Sequence, residues 1–170
     1  MNSNVQFIGI DVDDKAYHVS VFNNQDKSSF DFKCGPMPEF LLKAFKKHKI
    51  STESKICYEA SYIGYSLYRV LQKHGYKCEI IAPSLIPRQP GIKQKTDRID
   101  SRKLAKYYAK DLLTVINIPD EIDEGVRDLL RSKLFLSQQL TKLKNHMTSM
   151  SRRLGLDYCQ ETKKKSRWTQ

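Results

Sequence analysis

No stretch of this sequence approaches the roughly 18 consecutive apolar residues that would suggest a membrane span. The N-terminus, Met1-Asn2-Ser3-Asn4, is polar and lacks the pattern of a secretory leader. A cytoplasmic protein with no membrane partner is therefore expected. Cysteine is sparse: Cys34, Cys57, Cys78 and Cys159 are widely scattered, with no Cys-x-x-Cys and no nearby histidine pair. Neither a zinc site nor a disulfide framework is indicated, and the thiols are expected to serve as small buried hydrophobes. Acidic residues are in deficit, 19 Asp and Glu against 30 Lys and Arg, for a formal charge of +11. That excess favours a polyanionic partner, nucleic acid ahead of anionic membrane, because each phosphate met by Lys or Arg releases counterions. At 170 residues the length suits one domain with a single appended element.

The hydrophobic period changes along the chain. Val5 to Val12 is mostly apolar, Tyr17 to Val21 alternates, and Phe30-Asp31-Phe32 alternates again, with Asn23-Asn24-Gln25-Asp26 as a turn; three strands are predicted. From Pro36 onward Phe40, Leu41, Ala44, Phe45 and His48 fall at helical spacing behind prolines suited to a helix start. Lys55 to Glu59 reads as a fourth strand. A helix follows, capped by Ser61, carrying Leu67, Val70 and Leu71 on its core face and ending at Gly75. Tyr76 to Ala82 is a fifth strand. Pro83 to Gly91 reads as a loop leading to a helix that starts near Asp97. The order is β-β-β-α-β-α-β-α, an α/β chain with a mixed sheet flanked by helices.

After Pro119 the pattern is different. Ile122, Val126, Leu129, Lys133, Leu136, Leu140, Leu143, Met147, Met150 and Leu154 are spaced alternately by four and three, a coiled-coil signal that Asp120 caps and Gly155 ends. Self-association or pairing with another helix is expected, although Leu130, Leu134 and Phe135 beside the seam suit a helix packed on its own domain. The domain boundaries are placed at 1–118, 119–155 for the long helix, and 156–170 for a basic tail.

Four acids stand in informative places. Asp11 and Glu59 each lie at the downstream end of a buried-strand pattern, where a carboxylate has a large desolvation cost unless it is paired or holds a cation. Asp97 and Asp100 are three apart at the start of a helical pattern and share one helix face. Together the four could hold hard divalent cations. Taken alone, Asp97 is explained as a helix cap and Asp100 as a first-turn acid stabilised by the helix dipole. Asp13-Asp14-Lys15 reads as a turn, His18, His48, His74 and His146 as structural residues, and Tyr62, Tyr65, Tyr68, Tyr107 and Tyr108 as packing more than base stacking. Lys93, Lys95, Arg98, Arg102, Lys103, Lys106 and Lys110 cluster around the Asp97 and Asp100 pair, so a phosphate backbone drawn to them would cross the acids. Lys95 and Arg102 are the first choices for phosphate contacts.

Phe7-Ile8-Gly9-Ile10-Asp11-Val12, Tyr58-Glu59-Ala60 and above all Lys95-Thr96-Asp97-Arg98-Ile99-Asp100-Ser101 resemble the motifs of the DEDD transposases of the insertion-sequence one-hundred-and-ten family, which includes the Piv-type invertases. The resemblance implies a RuvC-like, RNase H-like domain. In it the first and fourth strands are neighbours, Asp11 and Glu59 lie side by side, and the last helix brings Asp97 and Asp100 over them. It also implies catalysis of metal-dependent phosphoryl transfer on DNA with two Mg²⁺ or Mn²⁺ ions about 4 Å apart. Asp11 would bridge the ions, Glu59 and Asp100 would each favour one, and Asp97 would complete the cage or hold a water. A structured guide RNA, a dimer or tetramer, and a C-terminal domain with a DNA-linked serine complete the implied system. None of Ser149, Ser151 and Ser166 can be given that serine's role, so the expected unit is the metal-binding half. The alternatives are a nucleic-acid-binding and oligomerisation module without catalysis of its own, or a RuvC-like nuclease of branched DNA.

Overall fold

The computed structural model describes residues 5–87 and 97–156, the side chains of 97–100 excepted. Five strands, β1 (Gln6–Val12), β2 (Tyr17–Asn23), β3 (Ser29–Cys34), β4 (Lys55–Glu59) and β5 (Lys77–Ile81), form one sheet in the order β3-β2-β1-β4-β5. The first three make an antiparallel meander, while β4 and β5 run parallel to β1, so the sheet is mixed and RNase H-like. The β2–β3 turn closes as its Asn and Asp residues suggest: Gln25 N–H donates to Asn23 Oδ1 at 3.0 Å, and Lys27 takes φ 58°.

Helices α1 (Pro38–Lys47) and α2 (Ser66–Lys73) connect the parallel strands, and α3 (Asp97–Tyr108) follows β5. Pro38 stands in the first turn of α1, where its missing N–H costs nothing. Gly75, at φ +80°, ends the α2 turn. Two corrections concern these helices. Ser61 does not cap α2, because residues 62–64 form a separate turn, and the helix begins one turn later. Its start is held by a core residue instead: Tyr58 Oη accepts from Tyr68 N–H at 3.2 Å and donates to Gly64 O at 3.3 Å. Phe40 shares the α1 spacing but stays largely exposed, with its ring lying over Gly35.

Strand alternation splits the core into two. Ile8, Ile10, Val19, Ile56, Tyr58 and Ile80 pack with Leu41 and Phe45 of α1 and Leu67 and Leu71 of α2. On the opposite face Cys57 and Ile81 pack against Leu104 of α3. Beyond α3, residues 114–116 run back along β5, with Ala82 N–H donating to Thr114 O and Ile116 N–H to Ile80 O. The sequence pattern gave no warning of this short strap.

The chain divides into two compact units, Met1–Ile118 and Pro119–Gln170. The second is built on α4 (Glu121–Arg153), a single helix of 33 residues. Asp120 caps it, its side chain accepting from Asp123 N–H at 2.7 Å, and Gly155 at φ +73° closes the far end with Leu156 N–H on Ser151 O. None of its residues is buried, and the apolar seam is open, with Ile122 79% and Leu129 70% exposed. Among the described residues no helix is long and apolar enough to cross a membrane.

Candidate active site

Register fixes where the first two acids stand. β1 and β4 pair in parallel with Ile8 opposite Ile56, Gly9 opposite Cys57 and Ile10 opposite Tyr58. Asp11 and Glu59 are each the next residue, side by side at the carboxyl end of two central strands, and both are half-buried. Alternation puts Asp11 on the same face as Gly9, and Glu59 on the same face as Cys57. That is the face α3 covers. A Cβ at Gly9 would lie 2.3 Å from Ser101 O and 2.5 Å from Ala105 N, so only glycine lets the α3 backbone come this close.

The direction of α3 follows from its contacts. Tyr108, near its end, sits edge-on to Phe7 at the start of β1, at 5.8 Å, and donates to Glu79 Oε2 at 2.8 Å. Ser101 and Ala105 lie over Gly9, further along the strand. The helix therefore runs antiparallel to β1, and its first turn is directed toward the Asp11 end. Asp97 and Asp100 occupy the positions one turn before Ser101 and Leu104, in the rows that face the sheet. The side chains of Asp97 and Asp100 lie outside the described residues. Among the described residues no three carboxylate, imidazole or thiol groups converge on a point that could hold an ion. Asp11 and Glu59 are two carboxylates side by side at that end of the sheet.

The α3 face of the meander is polar as well. His18 is the register partner of Asp11 on β2, and Ser20 that of Gly9; Asp31 and Lys33 on β3 oppose Ser20 and His18. Ser20 and Ser101 are buried with their hydroxyls 3.1 Å apart, and Ser20 Oγ donates to Asp31 Oδ1 at 2.7 Å. Arg102 Nε donates to Asp31 Oδ2 at 2.7 Å and its guanidinium completes an ion pair with the same oxygen. A cleft of about 290 Å³ opens beside this network, lined by His18, Val19, Asp31, Phe32, Lys33 and Ser101. Nearby, Asp13 Oδ1 accepts from Lys15 N–H at 2.9 Å in the expected turn. Asp14 binds the Tyr62 hydroxyl and pushes its pKa up to about 12, with the ring 67% exposed just past Glu59.

The sequence matches the DEDD transposase family of the IS110 type over residues 8–154. The chain belongs to this family. Over 130 residues it is 36% identical to the transposase for insertion sequence element IS1533 of Leptospira borgpetersenii, a match covering 75% of this chain and 38% of that protein. It is 47% identical over 77 residues to a protein of Sinorhizobium fredii named as transposase y4qE, covering 45% of this chain and 20% of that one. The chain thus spans less than half the length of the curated relatives it matches.

Within this transposase domain the basic residues fall into three groups. Lys93 and Lys95 lie outside the described residues, and Arg98 is described only as a helical position. Arg102, an expected phosphate contact, is held by Asp31. Lys106 is exposed, Lys110 is exposed in the turn after α3, and Lys103 lies over the Tyr107 ring at 5.3 Å. Tyr108 packs, as its spacing suggested. Sequence reasoning read His18 as structural and did not single out Ser20 and Asp31; alternation alone could have grouped the three once β2 and β3 were aligned on β1. Cys57 and Cys78 are buried, their thiols pushed well up by desolvation; half-buried Cys34 is pushed up to about 11. Cys159 lies outside the described residues.

Proposed function

We propose that this chain is the nuclease-type half of a DNA transposase or site-specific recombinase, with Asp11, Glu59, Asp97 and Asp100 holding two Mg²⁺ or Mn²⁺ ions for phosphoryl transfer. One observation carries the proposal: the β1–β4 register sets Asp11 and Glu59 together on the face under α3, and α3 runs so that its two acidic positions come to the same end of the sheet. The donor set fits the cations, since carboxylate oxygens are the ligands hard divalent ions prefer. Asp11 and Glu59 both have stiff support, each from a strand paired on both sides. When bound, such ions supply charge neutralisation and alignment for a phosphoryl group in transfer.

The chain's own residues do the rest. Lys103, Lys106 and Lys110, with Arg98, Lys93 and Lys95 near them in sequence, draw a phosphate backbone toward the acids. Tyr62, exposed and anchored by Asp14, offers a ring at the edge of the site on which a base can stack. Self-association into a dimer or tetramer through the open seam of α4, a structured guide RNA as second polyanion, and a cytoplasmic location complete the proposal. A binding and oligomerisation module without chemistry is the second reading, favoured by that seam: ten positions at heptad spacing on a helix with no buried residue.

The test is Mn²⁺ titration calorimetry on the wild-type chain, Asp11→Ala and Asp97→Ala, with cleavage of branched DNA followed on the same samples. Binding by the wild type that both variants lose, and cleavage lost with it, supports the enzyme. Equal behaviour of all three leaves the binding module as the function.

A further inference from the structure

We infer that Asp31 is a positioning residue for the candidate metal site, acting through α3 from a strand that carries none of the four acids. The inference rests on the metal-site proposal above.

Two of the four acids stand on β1 and β4, whose mutual position is fixed by sheet hydrogen bonds. The other two stand on the first turn of α3, which among the described residues has no sheet pairing to those strands. Whatever holds α3 in place therefore sets the distance between the two halves of the site. Along the middle and end of the helix that task falls to packing: Leu104 on Cys57 and Ile81, Ala105 on Gly9, Tyr108 on Phe7. Those packing contacts are apolar and weakly directional, and Tyr108 adds one hydrogen bond, to Glu79 Oε2 at 2.8 Å, at the far end of the helix.

Nearer the start of α3, at the level of Gly9, further ties are polar and directional. Ser101, the residue after Asp100, meets Ser20 at 3.1 Å in a buried contact. The Ser20 hydroxyl donates to Asp31 Oδ1, so its proton is committed to the carboxylate and its lone pairs face Ser101. The second carboxylate oxygen takes Nε and Nη2 of Arg102. Asp31 thus engages two consecutive residues of α3, Ser101 through Ser20 and Arg102 directly. Its side chain is only 11% exposed, against 43% for the arginine, so the pair is more than a solvated surface contact. The arrangement is the outer-shell kind in which a group that touches no ion orients those that do. It also gives Arg102 a task other than phosphate binding.

The experiment uses the full 170-residue chain, with Mn²⁺ as the probe. Calorimetric titration is run on wild type, Asp31→Ala, Asp31→Asn and Arg102→Ala, together with amide hydrogen exchange across residues 97–108 and β1. Asp31→Ala is expected to weaken Mn²⁺ binding about 10-fold or more, the usual scale of an outer-shell loss. Exchange in the first two turns of α3 should rise, while the β1 amides stay protected. Asp31→Asn keeps an acceptor for Ser20 and should fall between wild type and Asp31→Ala. Arg102→Ala should weaken Mn²⁺ binding too, yet leave the salt dependence of DNA binding unchanged, where a lost phosphate contact would lower the slope by about 1. A general loss of structure would instead raise exchange in β1 together with α3, and that result overturns the inference. So does Mn²⁺ binding by Asp31→Ala as tight as wild type, which leaves the metal-site proposal standing. A wild-type chain that takes up no Mn²⁺ overturns both.

Discussion

Ile8, Ile10, Val19, Ile56, Tyr58 and Ile80 leave one face of the sheet and are closed over by α1 and α2, whereas Gly9, Asp11, His18, Ser20, Asp31, Cys57 and Glu59 leave the other, on the side of α3. The same five strands supply both sets, residue by alternate residue. The first face is an apolar core that asks only for volume and shape. The second has a glycine where backbones touch, a chain of hydroxyls and charges, and two acids at its end. A sheet of this kind can place its stability on one side and its chemistry on the other, so substitutions on the two faces should fail in different ways.

The largest effect is expected on the apolar face. Phe45→Ala removes a fully buried ring and should cost about 3–5 kcal/mol in denaturant unfolding, while Mn²⁺ affinity per folded molecule stays at the wild-type value. Equal loss of both quantities would show the two faces to be coupled. Next comes Gly9→Ala on the α3 face. The new methyl would meet backbone atoms, which cannot rotate away, so α3 must shift; about 1–3 kcal/mol of stability should go, and Mn²⁺ binding with it. Retained Mn²⁺ affinity in that variant would mean that the α3 position does not matter to the site.

A smaller effect sharpens the comparison, because one buried thiol lies on each face: Cys78 under α2 and Cys57 under α3. Desolvation raises both above the ordinary thiol value of 9.0, so the folded chain keeps protons that the unfolded chain releases. A raised pKa gives stability that is fully present below about pH 9 and is lost as pH rises toward the folded values. Melting temperature should thus be flat in this respect from pH 7 to about 9 and fall above it, and Cys57→Ala and Cys78→Ala should each flatten the fall. A steeper fall in either variant would contradict the assignment. The smallest effect is expected outside both faces: Lys106→Ala should change stability by less than about 0.5 kcal/mol and reduce the salt slope of DNA binding by about 1.

Local pattern carried much of the fold into view. The strands of the meander, the helix behind Pro36 and Pro38, the stop at Gly75, the Asp120 cap and the Gly155 end all depend on neighbours within a few residues; each is present, although β2 runs on through Asn23 and β3 extends to Ser29 and Cys34. The neighbouring of β1 and β4 came from family resemblance, and the observed register agrees with it. What stayed hidden was built from distant pairs. Ser20 and Ser101 are 81 residues apart, Asp31 and Arg102 are 71, and nothing in their own surroundings marks them. Arg102 sits in a basic run and looks like its neighbours until β3 is laid beside it. Ser61 was a fair cap by composition, but the buried Tyr58 hydroxyl, not a local serine, satisfies the α2 backbone. The strap at 114–116 pairs through backbone groups, which leave little trace in side-chain pattern.

The two borders of the sheet are guarded by different means. The end of β5 is covered by the strap, which bonds Ile80 O and the following Ala82 N–H. β3 is the last strand on its side and carries Asp31 and Lys33. Charge turned inward on a border strand discourages a foreign strand from stacking onto it, since joining the row would trap that charge away from water. The carboxylate that grips Arg102 thereby also guards this border of the sheet. Removing it should show in the solubility of concentrated samples as much as in the behaviour of α3.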